Sequence, residues 1–187
     1  MNIKEHLNRI GEKSLTASNQ VKSFSSDEKN SLLKKIAEKI ILDKNLVIEA
    51  NDKDISIASN SIDKAMLDRL SLNLDRVNSI TKSINDIIKL EDPINKIINT
   101  NKRPNGMIVE RVTVPLGVIG IIYESRPNVT IDASVLCLKA GNSVILRGGK
   151  ESFYSNLQLA TSARNAIEEA GYNKNIVQFI ETTDRDA

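Results

Sequence analysis

Two short stretches hold residues whose types and spacing suit chemistry. Arg147-Gly148-Gly149-Lys150 follows an apolar run and precedes a helical pattern. Paired glycines let backbone approach a ligand closely, and Arg and Lys donate charge-assisted hydrogen bonds suited to phosphate. Neither common phosphate fingerprint is complete. G-x-G-x-x-G is absent, and a P-loop fails because Val144 stands where its first glycine belongs and Glu151 follows the lysine. On the residues alone, a strand-to-helix turn with solvated bases is the plainer reading. The second stretch is the elbow Tyr123-Glu124-Ser125-Arg126-Pro127-Asn128. There Arg126 can meet an anionic ligand, or pair with Glu124 in a proline-set loop.

The remaining reactive side chains carry less. Cys137 lies in Val135-Leu136-Cys137-Leu138, an apolar stretch where cysteine behaves as a small buried hydrophobe, and no neighbour would lower its pKa. His6, the sole histidine, reads as a surface residue of an amphipathic helix rather than a general base. No Cys, His or Asp cluster has metal-ligand spacing, so no metal is expected. With 26 Lys and Arg against 24 Asp and Glu, a polyanion-binding surface is not indicated, and the absence of Trp removes stacking platforms for nucleic acid. The N-terminus lacks the apolar core of a signal peptide, and the run Val118 to Tyr123 is too short to span a bilayer. One cysteine forbids an internal disulfide, which points to a reducing compartment and a cytoplasmic protein.

The elements that must position these residues follow from periodicity. Lys4 to about Leu90 is helical in pattern. Ser25 and Glu28 have capping-box spacing, followed by the stripe Leu32, Leu33, Ile36, Ile40 and Ile41. A second stripe, Val77, Ile80, Ile84, Ile87 and Ile88, ends at Asp92-Pro93, and a shorter helix is expected around Ala65 to Leu70. The polar faces of these helices read as solvated. Pro104 and Asn105-Gly106 mark a turn, after which Met107 to Val114 reads as a strand near a sheet edge. Beyond Pro115 the pattern becomes strand (Gly117 to Tyr123), helix (Thr130 to Ala140, closed by Gly141), strand (Ser143 to Arg147), helix (Ser152 to Ala170) and strand (Ile176 to Ile180). That order predicts right-handed βαβ units, which bind ligands at the carboxyl ends of their strands.

The stretch from Val114 to Ser152, VPLGVIGIIYESRPNVTIDASVLCLKAGNSVILRGGKES, resembles gamma-glutamyl phosphate reductases (glutamate-5-semialdehyde dehydrogenases), a proline-biosynthesis branch of the aldehyde dehydrogenase superfamily. The likeness continues more loosely from the helical N-terminal region, including Ala65-Met66-Leu67-Asp68-Arg69-Leu70, through to Asp184-Arg185. It implies an α/β fold. Residues 1–105 would form a helical region packed on the first half of a Rossmann-like, NADP-binding parallel sheet over 106–187, with the catalytic domain absent. The implied reaction is NADPH-dependent reduction of L-glutamate 5-phosphate to L-glutamate 5-semialdehyde, through a cysteine nucleophile that this stretch does not contain. Further copies of the chain and glutamate 5-kinase are the implied partners.

The resemblance also assigns residues. Arg147 stands where relatives bind the adenosine ribose, and with Gly148 and Gly149 forms the cofactor turn. Lys150 stands where NAD-using relatives often carry a Glu, and an ammonium there would attract the 2′-phosphate of NADP(H). A gapless alignment sets Arg126 at the position of an oxyanion-holding Asn, with Asn128 two residues on. Asn128 is therefore the oxyanion candidate, and Arg126 suits the acyl phosphate of the substrate. Family members run to roughly twice this length, so the chain reads as an N-terminal piece. Two other readings stay open: a cofactor- or subunit-binding module working with a separately encoded remainder, and a truncation relic without function.

Overall fold

Five helices come first, as the apolar spacing requires. In a computed structural model, which describes residues 3–184, they are α1 (Ile3–Val21), α2 (Ser26–Leu42), α3 (Lys44–Ala58), α4 (Lys64–Leu70) and α5 (Leu74–Lys89). The expected capping box starts α2. Ser25 Oγ accepts from the Glu28 amide at 3.2 Å, and the Glu28 carboxylate accepts from the Ser25 amide at 2.7 Å. Leu32, Leu33, Ile36 and Ile40 are buried, whereas Ile41 lies at the exposed margin of the stripe. Val77, Ile80 and Ile84 join the same core, with Ile87 and Ile88 partly buried against it.

A two-stranded antiparallel hairpin follows, β1 (Ile97–Lys102) and β2 (Ile108–Val112). Its loop holds Pro104, Asn105 and Gly106. The Gly106 amide donates to Arg103 O at 2.9 Å, with Gly106 at a φ of 87° that favours glycine. The strand expected over Met107 to Val114 is β2, an edge strand of this two-stranded sheet. The strand pairs only with β1 and does not join the edge of the parallel sheet. Its partner escaped notice because Ile97-Ile98-Asn99-Thr100-Asn101-Lys102 lacks alternation, and its register shifts between Ile97 and Asn99. The division at 105/106 falls within this hairpin's loop.

The α/β portion comprises β3 (Val118–Ile122), α6 (Pro127–Lys139), β4 (Ser143–Arg147), α7 (Phe153–Glu169) and β5 (Val177–Phe179). The strands are parallel in the order β3-β4-β5. Helix α6 begins at Pro127, three residues before the expected start, because proline is well suited to the first helical position. It ends in a Schellman turn, with the Gly141 amide bonded to Leu138 O and the Asn142 amide to Cys137 O, both at 2.9 Å. Gly141 has a φ of 71°, and a Cβ there would stand 2.9 Å from Pro115.

Right-handed crossovers in one direction place α6 and α7 on the same face of the sheet. The opposite face receives α1. Ser143 Oγ donates to Ser14 O at 3.0 Å, and Gln178 Nε2 donates to Ile10 O at 2.6 Å and to Ser14 Oγ at 2.8 Å. A further layer of α2, α3 and α5 covers α6 and α7. Lys39 pairs with Glu169 at 2.7 Å, and the buried Lys139 donates to Asn30 at 2.6 Å and to Ile88 O at 3.1 Å.

The polar faces of the first helices are not wholly solvated. Lys29, Asn51 and Asp54 are each no more than 2% exposed. Lys29 meets Asp92 at 2.7 Å. Asp54 accepts from the amides of Tyr154 and Ser155 at 3.0 and 2.7 Å, and from Ser155 Oγ at 2.6 Å, which satisfies the open N-terminus of α7. Asn51 Nδ2 donates to Leu70 O at 2.8 Å and to Ser155 Oγ at 3.0 Å, while its Oδ1 accepts from the Leu72 amide at 2.6 Å. Two side chains of α3 thereby fix both α4 and the start of α7.

Candidate functional site

The elbow after β3 and the turn after β4 leave the sheet side by side. The Tyr123 amide donates to Arg147 O at 3.0 Å, continuing the ladder to the carboxyl end of both strands. The two glycines of the turn make room for protein. A Cβ on Gly148 would stand 2.1 Å from Asn156 Nδ2, and one on Gly149 would stand 2.3 Å from Ser125 Oγ. Within the protein itself, this pair lies close against the elbow and α7. Ser125 Oγ also donates to the Glu151 carboxylate at 2.5 Å, tying elbow to turn a second time.

Beneath them runs a buried polar chain that sequence reasoning did not find. The Tyr123 hydroxyl and Thr130 Oγ1 are 2.7 Å apart, and Thr130 Oγ1 donates to Asn156 Oδ1 at 3.0 Å. Asn156 Nδ2 in turn donates to Ser152 Oγ at 2.8 Å. Burial pushes the Tyr123 hydroxyl up to about 12, so it stays protonated at neutral pH. The network holds two loops at fixed spacing. No local pattern marks Thr130 and Asn156, since their partnership spans 26 residues.

The basic residues at these strand ends differ in their engagement. Arg147 donates to the carbonyl of Asp184. Lys150 is exposed and lines a cavity of about 570 Å³ with Asp54, Tyr154 and Glu181. Nearby, Lys53 lies 3.6 Å from the centre of the Tyr154 ring. Arg126 is exposed, and no ion pair joins it to Glu124 among the described residues. It lines two cavities, one of about 450 Å³ against α4 and α5 and one of about 580 Å³ toward Gly149. Arg69, on α4, lines both as well. The sequence reading noted its segment but assigned the residue no role.

Asn128 and Asp132 complete the wall of the 450 Å³ cavity on α6. Asn128 Nδ2 donates to Asp132 Oδ2 at 3.0 Å, one helical turn along. Burial raises the Asp132 pKa, and the hydrogen bond from Asn128 opposes that rise. Cys137 is buried on the same helix, and burial pushes its thiol up to about 11. It lines none of the cavities described above. His6 lies with Arg9 and Lys13 at a separate, smaller cavity. Among the described residues no group of three or more His, Cys, Asp or Glu is placed to hold a metal ion, and no helix is long and apolar enough to cross a membrane.

This geometry can be set beside known proteins. The gamma-glutamyl phosphate reductase of Petrotoga mobilis is 43% identical over 188 residues, covering 100% of this chain and 45% of the relative. The crystal structure of gamma-glutamyl phosphate reductase from Thermotoga maritima superimposes with a TM-score of 0.93 at 38% identity, covering 96% of this chain and 44% of that one. Over its whole length the chain is similar to the N-terminal portion of gamma-glutamyl phosphate reductases. It spans about half the length of the relatives it matches. An acetylating aldehyde dehydrogenase from Geobacillus thermoglucosidasius shares the fold at a TM-score of 0.67 and 15% identity, covering 97% of this chain and 37% of that one. The helical region and parallel sheet are thus of the aldehyde dehydrogenase type. No family model matches the chain.

Proposed function

We propose that the chain is the N-terminal part of a cytoplasmic, proline-biosynthetic reductase that converts L-glutamate 5-phosphate to L-glutamate 5-semialdehyde with NADPH. The observation that carries this reading is the placement of Arg126 and Lys150. Both are exposed cations without a hydrogen-bonded or ionic side-chain partner among the described residues, at the carboxyl ends of β3 and β4 in a fold shared with reductases of that name. Unpartnered cations at strand ends suit anionic ligands, because binding there removes no existing ion pair.

Lys150 fits the 2′-phosphate of NADP(H), as it faces a cavity with its ammonium unpartnered. Arg147 would take the adenosine ribose, while Gly148 and Gly149 keep the turn against Ser125 and Asn156 so that the two bases flank it. The cofactor, when bound, supplies the hydride. Arg126 would hold the acyl phosphate, and Asn128 would turn a second amide hydrogen toward the developing oxyanion while remaining bonded to Asp132. The nucleophile must come from outside these residues. Cys137 is buried, with a pKa near 11, and forms almost no thiolate at neutral pH.

The test joins the chain to the remaining part of the Petrotoga mobilis reductase and measures phosphate-dependent reduction of NADP⁺ by the semialdehyde. Turnover is expected from the joined protein, and none from the chain alone. Turnover by the chain alone that disappears in Cys137→Ser would overturn the assignment of the nucleophile. In the joined protein, Lys150→Glu should lower kcat/KM with NADPH about ten- to a hundredfold and leave NADH use unchanged. An equal loss with both cofactors would mean that Lys150 only holds the turn.

A further inference from the structure

The charged groups lining the 450 Å³ cavity do not cancel. Arg76 is engaged by its own surroundings, donating to Asp68 Oδ1 at 2.8 Å, to Ser71 O at 2.8 Å and to Asp68 O. That pairing also neutralises Asp68. Among the described residues three charged groups remain without an opposite charge: the guanidinia of Arg69 and Arg126 and the carboxylate of Asp132, whose hydrogen-bonding partner there is the neutral Asn128 amide. Leu72, Ile80 and Val129 supply apolar lining between them. Two cations, one anion and an apolar stretch are the complement of a molecule with two anionic groups, one ammonium and a short methylene chain.

From this complementarity we propose that the cavity between α4, α5 and α6 recognises the amino-acid head of the substrate, with Arg69 binding the α-carboxylate and Asp132 the α-ammonium. This deepens the reading above and rests on it, since Arg126 at the elbow then takes the phosphate end. The α-amino acid, and no simple aldehyde, is the ligand class that uses all three groups.

The fold holds Arg69 for this task. Asp63 caps α4 by accepting from the Met66 amide at 2.7 Å, and Leu70, fully buried beside Arg69, has its carbonyl bonded to Asn51. The helix is therefore anchored while its arginine reaches the cavity. Asp132 is half-buried with a pKa raised by burial, the state of a carboxylate that lacks a cation. The volume lies within the range of small-molecule sites of roughly 300–1,000 Å³.

The test is a titration of the chain, followed by NMR chemical shifts, with 2-amino-5-phosphonopentanoate and with pentylphosphonate, which lacks the amino-acid head. The L-amino acid should bind at least about tenfold more tightly than pentylphosphonate and than its own D-enantiomer, the scale of one charge-assisted contact. Arg69→Ala and Asp132→Asn should each remove most of that advantage and leave pentylphosphonate binding as it was, with Arg69→Lys intermediate. Arg69 is exposed, and the asparagine can still accept from Asn128, so both variants should retain the wild-type thermal melt. Equal affinity for the two phosphonates, no binding of either, or variants that weaken both ligands alike would each overturn the proposal. Failure of the broader functional reading shows separately, as a joined protein with no turnover whichever way the titration falls.

Discussion

The turn after β4 and the elbow after β3 lie one backbone hydrogen bond apart, yet they are finished in opposite ways. The glycine backbone of the turn is closed by protein, although Lys150 at its end stays exposed. Its glycines lie against Asn156 and Ser125, and Arg147 donates to the backbone of Asp184. The elbow leaves Arg126 exposed, facing Arg69 and Asp132 across open cavities. The glycines thus mark close packing here, whereas Arg126 in the elbow, like Lys150 at the end of the turn, is left exposed beside a cavity.

The sharpest way to break that contrast is to fill the turn. Gly148→Ala would put a methyl group 2.1 Å from the buried Asn156 amide and should cost about 1–3 kcal/mol, read from the urea midpoint. Stability equal to wild type would show that the turn is not packed tight.

Next in size is Asp54, which seats the start of α7 and so holds the turn in place. Asp54→Ala should cost about 0.5–2 kcal/mol, by loss of a helix cap. Its pH dependence has a definite sign. Burial holds the Asp54 carboxyl above the ordinary carboxylate range, against the hydrogen bonds from Ser155 and Tyr154. The folded chain therefore binds this proton more tightly than the unfolded one. The Asp54 contribution to stability is fully present below the ordinary carboxylate pKa and declines as pH rises through the raised one. The stability of the wild type relative to Asp54→Asn should fall across that window, and a difference independent of pH would refute the assignment.

The smallest effect belongs to the elbow. Arg126→Ala should change stability by no more than about 0.5 kcal/mol, as for an exposed residue with no partner. A larger loss would mean that Arg126 is a structural residue, and the contrast between the two loops would collapse.

Where residues interact within one element, the sequence was a sound guide. The Ser25 and Glu28 box, the apolar stripes of α2 and α5, the glycine stop of α6 and the alternation of strands with helices all appear where spacing put them. These features depend on neighbours three or four positions away, whose geometry the helix itself imposes. The hairpin was half legible. Its Pro104 and Gly106 loop and β2 could be read, but β1 could not, because Asn99 and Asn101 have little strand preference and are held by pairing with β2.

The resemblance to a reductase family, and with it Arg126, Asn128, Arg147 and Lys150 as residues of interest, could be read from the sequence. Their surroundings could not. Lys29, Asn51 and Asp54 look like solvent-facing residues on their own helices, and only the packing of α3 on α7, and of Lys29 against Asp92, buries them. Arg69 and Asp132 lie 63 positions apart, and nothing local links them before the fold brings both to the lining of one cavity. By itself the sequence determined the helices, the strands and the charges available, because these follow from short-range sterics and periodicity. Tertiary structure decided which charges found partners and which were left facing a cavity, because an ion pair or a buried hydrogen bond depends on contacts between residues far apart in the chain.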